Sequence, residues 1–91
     1  MEFEYKDKTY EVLLGSDVVR DGVFLELSEK LDDLHAEAVM EIFFSDVNGD
    51  FICNVWKPIE IPFEKMELFI RAARERLPDI RHLEDNIKKK E

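Results

Sequence analysis

Cysteine is nearly absent from this chain: Cys53 is the single one among 91 residues. One cysteine cannot build a disulfide framework, so the chain is expected in a reducing compartment. Glycine and proline are scarce too, three of each. The glycines, at 15, 22 and 49, each stand alone, which excludes a phosphate-cradling loop. No Gly/Ser/Pro linker, repeat or low-complexity tract divides the chain, so residues 1–91 read as one domain. No apolar run approaches the roughly 18 residues that a membrane span needs. The opening MEFEYKDKTYE lacks the basic and apolar regions of a secretory signal, and the expected location is the cytoplasm. Bases are outnumbered 13 to 22 by acids, a net charge of −9, which argues against nucleic acid and anionic membrane as partners.

The charge is uneven. Residues 1–56 hold 14 acids and 4 bases, whereas residues 57–91 hold 8 acids and 9 bases. The acidic half reads as strands. Residues 2–6 and 9–14 form a hairpin if the chain turns at Asp7-Lys8, with Phe3 opposite Val12 and Tyr5 opposite Tyr10. Phe3, Tyr5, Tyr10, Val12 and Leu14 then share a buried face. Asp21-Gly22 marks a further turn, and residues 23–28 supply a third strand with Val23, Leu25 and Leu27 inward. Residues 29–37 fit a loop or a short helix equally well.

Asn48-Gly49 between two apolar runs is a strong hairpin signal and joins strands over 38–47 and 50–57. A two-residue turn there sets 44 opposite 53 and 42 opposite 55. One face then carries Met40, Ile42, Phe44, Phe51, Cys53 and Val55, and the other carries Glu41, Phe43, Ile52, Asn54 and Trp56. Lys57–Pro62 is an extended exit, because each proline biases its predecessor away from helix. A helix follows over 63–77, with Phe63, Met66, Phe69, Ile70, Ala73 and Leu77 in one stripe. Pro78 is expected to end it, and Asp79 to cap a shorter helix carrying Ile80, Leu83 and Ile87. The expected fold is α+β: an antiparallel β-meander of about five strands (residues 1–57), then one long and one short helix (62–90) packed on the sheet.

Motifs that carry chemistry are incomplete. Asp46, Asn48 and Asp50 have the alternate spacing of a calcium loop. Position six of such a loop falls on Phe51 rather than glycine and position twelve on Lys57 rather than an acid, so the stretch reads as a hairpin turn. Asp32, Asp33, His35 and Glu37 bring three acids and an imidazole into six residues, which opens a metal-dependent domain as an alternative; a solvated loop is the simpler reading. Cys53, between Phe51 and Val55 on the core face, is expected buried and inert. His35 and His82 have no nucleophile partner that spacing justifies. No catalytic set, cofactor site or metal site is expected, and the chain is read as non-enzymatic.

Two surface features carry more weight. Phe43, Ile52 and Trp56 share the second face of the central hairpin, where one helix on the opposite face leaves them in water unless the last helix or a loop covers them. Glu41 lies on the same face, within the acid excess. The expected function is a small protein–protein interaction module that binds through Phe43, Ile52, Trp56 and Glu41, in one version an antagonist of a basic protein. The alternative is a self-associating structural domain, a homodimer that buries the same face.

Overall fold

A computed structural model describes the backbone of residues 1–90, and side chains through Pro78. Five strands are followed by one helix: β1 (Glu2–Tyr5), β2 (Lys8–Asp17), β3 (Gly22–Lys30), β4 (Ala36–Ser45), β5 (Phe51–Val55) and α1 (Phe63–Lys90). The strands form one sheet in the order β1-β2-β3-β4-β5, with every neighbouring pair antiparallel. The α+β meander is therefore as expected.

Both hairpin registers differ from expectation by two residues. The first turn is Lys6-Asp7, and both residues take positive φ, 50° and 62°, as a two-residue turn matched to strand twist requires. Phe3 thus pairs with Tyr10 rather than Val12. The two rings stack at 5.3 Å between centroids. At the second hairpin Phe44 pairs with Phe51 rather than Cys53. Asp46–Gly49 form a four-residue loop in which Gly49 alone takes positive φ, 75°. Side chains close this loop: Ser45 Oγ accepts from the Val47 N–H at 3.2 Å and Asn48 Oδ1 from the Asp50 N–H at 3.0 Å. Because side chains alternate with period two, a slip of two residues leaves each on its expected face.

The ambiguous stretch resolves into strand, loop and strand, since β3 continues to Lys30 and β4 starts at Ala36. The β3–β4 ladder shifts register between Leu27 and Ser28, where Leu27 faces Met40 and Ser28 faces Ala38. Val39 is the extra residue of this bulge and is fully buried.

One face of the sheet holds the core. Phe3, Tyr10, Val23, Leu25, Leu27, Met40 and Ile42 pack there with Phe69, Ala73 and Leu77 of α1. The cover is narrower than the sheet. Five strands span about 19 Å between outer axes at roughly 4.8 Å per spacing, and a helix is about 10 Å across. Among the described residues, α1 approaches β3 and β4. The exit 57–62 crosses toward β1, where Lys6 Nζ meets Glu60 Oε1 at 2.7 Å, and lays Ile59 and Ile61 on the core. The side of β5 is left open.

The helical part departs from expectation. One helix of 28 residues runs through Pro78, in place of a long and a short one. Proline's fixed φ near −65° is itself helical; what Pro78 costs is the hydrogen bond to the carbonyl of Arg74 and the crowding of that carbonyl by its ring. Arg74 lies on the exposed side of the helix. Ile80, Leu83 and Ile87, expected on one side of a second helix, lie outside the residues whose side chains are described.

Candidate functional site

The face opposite α1 carries a small polar and aromatic cluster. Phe24 and Phe43 are cross-strand partners, and each ring lies over a glycine. A Cβ on Gly15 would come within 2.5 Å of the Phe24 ring, and one on Gly22 within 2.4 Å of the Phe43 ring. Glycine is required at Gly22, where the Phe44 carbonyl oxygen lies 2.3 Å from that Cβ as well, whereas at Gly15 the Phe24 ring alone would have to move. Arg20, in the β2–β3 turn, closes the cluster with its guanidinium 4.3 Å above the Phe43 ring centroid. The same guanidinium forms a fork with both carboxylate oxygens of Glu41 and donates from Nε to Asp17 Oδ2 at 2.6 Å. Asp17 Oδ1 also accepts from the main-chain N–H groups of Val19 and Arg20, which shapes the turn. The Arg20 side chain and these N–H groups hold the Asp17 carboxyl below the usual carboxylate range, and Glu41 and Asp17 raise Arg20 further above its already high value. Asn54 Nδ2 donates to Glu41 Oε1 at 3.1 Å and ties β5 into the network.

This cluster separates the four residues expected to bind a partner. Phe43 is 4% exposed and Glu41 2%, both beneath Arg20. Ile52 at 45% and Trp56 at 52% stand in solvent. Phe43 and Glu41 are thus not available to a partner, contrary to expectation: the β2–β3 turn is the covering loop that was the alternative, and it stops short of β5.

The other side of β5 is open as well. Cys53 is exposed, contrary to the expected burial. Its face is the expected one, but α1 covers β3 and β4 and does not reach it. Phe51 is 43% and Val55 58% exposed. Between β5 and α1 runs an apolar groove of about 220 Å³, walled by Met40, Ile42, Cys53, Met66 and Ile70, with Arg74 at its rim. The sequence signal for this edge is the uncharged run Phe51–Trp56 in the last strand of a meander. The Arg20 clamp had no such signal, since it depends on how the turn folds back over the sheet.

Asp32 and Glu37 are both engaged within the fold. Asp32 Oδ1 accepts from the main-chain N–H groups of Leu34 and His35, both at 2.8 Å, and the His35 ring nitrogen Nδ1 lies 2.9 Å from it. These donors hold the Asp32 carboxyl below its ordinary range. Glu37 meets Lys57 at 3.1 Å, and Lys57 also reaches Glu29 at 2.8 Å. Two carboxylates raise the Lys57 ammonium, while Lys57 foremost, aided by Lys8 and opposed by burial, lowers Glu29. Among the described residues no three His, Cys, Asp or Glu side chains are grouped to hold a metal ion. In the Asp46–Asp50 loop, Asn48 is turned onto its own backbone. His82 lies outside the described side chains. No described helix is long and apolar enough to cross a membrane.

Comparison with family models, curated proteins and solved structures gives no match to this chain.

Proposed function

We propose that this protein is a non-enzymatic protein-binding domain and that β5 is its docking element. One observation carries the reading: β5 is a sheet edge, uncharged from Phe51 to Trp56, with apolar side chains in solvent on both faces. An open strand edge offers main-chain donors and acceptors to an added strand, and apolar positions on either side give that strand purchase. Ile52 and Trp56 serve on the open face; Phe51, Val55 and the groove beside α1 serve on the other. Antagonism of a basic protein has less behind it. Glu41 is engaged with Arg20 and Glu29 with Lys57. Glu2, Glu4 and Glu11 stand on β1 and β2, at least three strand spacings from β5, or about 14 Å, beyond the roughly 8 Å screening length at physiological salt.

The test uses immobilised wild-type, Ile52→Lys and Trp56→Ser chains in cell extract, after which the recovered protein is made separately and titrated against each. Both residues are about half exposed, so the folds are expected to survive. A direct complex weakened at least about tenfold by either change supports the reading, given that a few buried anchors dominate interfaces. Equal binding by all three chains overturns it.

A further inference from the structure

We infer that the partner of β5 is the β5 of a second copy, paired antiparallel about a two-fold axis at Cys53. The inference rests on the reading of β5 as the docking element and concerns what docks there.

The hydrogen-bond phase of the β4–β5 ladder locates the free groups. Ser45 N–H donates to the Asp50 carbonyl and Trp56 N–H to the Val39 carbonyl, each at 2.9 Å. Residues 50, 52, 54 and 56 therefore turn their main-chain groups toward β4. In an antiparallel ladder the alternate residues turn theirs away, so Phe51, Cys53 and Val55 present N–H and C=O groups at the free edge. Cys53 is the midpoint of this set. A two-fold axis there sets Phe51 opposite Val55 of the second copy, Cys53 opposite its equivalent and Val55 opposite Phe51. Every outward donor of β5 then finds an acceptor, and every acceptor a donor.

The side chains agree with that register. On the α1 side the facing pairs are Phe–Val, Cys–Cys and Val–Phe, without a charge. On the open face Ile52 lies beside Asn54. The flanking charges differ in sign, Asp50 before the strand and Lys57, which also meets Glu29 and Glu37 of its own chain, after it, so an antiparallel seam brings each Asp50 to the end that carries the other copy's Lys57. A parallel seam would bring like to like. The same operation on β1 would set Glu2 opposite Glu4 twice, which like-charge repulsion disfavours. Among the described residues nothing obstructs the β5 edge, since α1 lies over β3 and β4 and the exit 57–62 runs toward β1. The product is a continuous sheet through two copies, with the two grooves joined into one trough between two helices.

Molecular mass under reductant, measured over a concentration series by sedimentation equilibrium, tests this in the full chain. The wild type is expected to rise from 10.8 kDa toward twice that value. Cys53→Ser, which preserves size, is expected to do the same. Cys53→Lys sets two ammonium groups face to face, and Cys53→Pro removes an outward N–H that no strand of its own chain uses; each is expected to raise the dissociation constant at least about tenfold. Amide exchange gives a second readout: Phe51, Cys53 and Val55 become protected as concentration rises, while Ile52 and Asn54 are protected throughout. A wild type of single-chain mass at all concentrations, or a dimer indifferent to Cys53→Lys and Cys53→Pro, overturns the inference. If a different protein then binds wild type and is lost with Cys53→Pro, self-pairing falls and β5 docking stands. If Cys53→Pro retains every partner, both fall.

Discussion

β1 and β5 close the same sheet on opposite sides, and they deal with an open edge in opposite ways. β1 alternates acids with aromatics. Its Glu2 and Glu4 line the open face, with Glu2 3.6 Å from Lys30, while Phe3 is fixed in the core against Tyr10. β5 has no charge within it, and its Phe51, Ile52 and Val55 are all about half exposed. Charge on an edge strand is a common guard against unwanted pairing. Both strands are short, four and five residues, so length does not distinguish them. The guard is present where the strand is anchored to the core and missing where it is not. Want of acidic residues does not explain the unguarded edge, since the chain has 22; docking, as proposed above, does.

The comparison is sharpened most at its aromatic anchors. Phe3→Ala is expected to cost about 3–4 kcal/mol, the usual loss for a buried phenylalanine, and Phe51→Ala less than about 1.5 kcal/mol because much of its area is never withdrawn from water. Urea titration of the two variants checks this, and equal losses would mean that both edges are anchored alike. Arg20→Ala comes next, at about 2 kcal/mol, since it leaves the Glu41 carboxylate buried with Asn54 as its remaining partner. Amide exchange should then rise at Ile52 and Asn54 with β1 unchanged; a uniform rise would count against a local clamp. The smallest effect is acid dependence. Lys57 holds the Glu29 carboxyl below its ordinary range, and Lys8 adds to this. A depressed folded pKa means stabilisation that is full above the unfolded value near 4.3 and disappears as pH falls through the folded one. Stability measured from about pH 5 downward should therefore fall less steeply in Glu29→Gln than in wild type; identical slopes would remove Glu29 from the account.

Much of this was legible in the sequence. Alternation assigned Phe3, Tyr10, Leu25, Leu27, Met40 and Ile42 to one face, and the stripe Met66, Phe69, Ala73, Leu77 to the helix that covers it. Register was not, because each turn settles on features that a dipeptide preference leaves out: Lys6 and Asp7 at positive φ in one hairpin, Ser45 and Asn48 as loop acceptors at the other. Cys53 shows a different gap. Its face was readable, but its burial depended on the width of one helix over a five-stranded sheet and on the path of 57–62, neither of which periodicity records. Phe43 and Glu41 stand under Arg20 for a similar reason. A turn that folds back over a sheet leaves no repeating pattern in the chain.

Strand order equals sequence order throughout the meander, and the helix that completes the core is the last element in the chain. Synthesis therefore delivers each strand beside the one made just before it, so pairing closes short loops and nothing in the sheet waits for a distant segment. The core is the exception. Until residues 63–77 have emerged, Tyr10, Leu25, Leu27 and Ile42 form an apolar surface with no helix over it, the kind of surface on which nascent chains aggregate. A nascent chain whose strands have cleared the exit tunnel while residues 63–77 are still inside it would display a paired sheet with a bare face; once Leu77 has cleared the tunnel as well, the core can close.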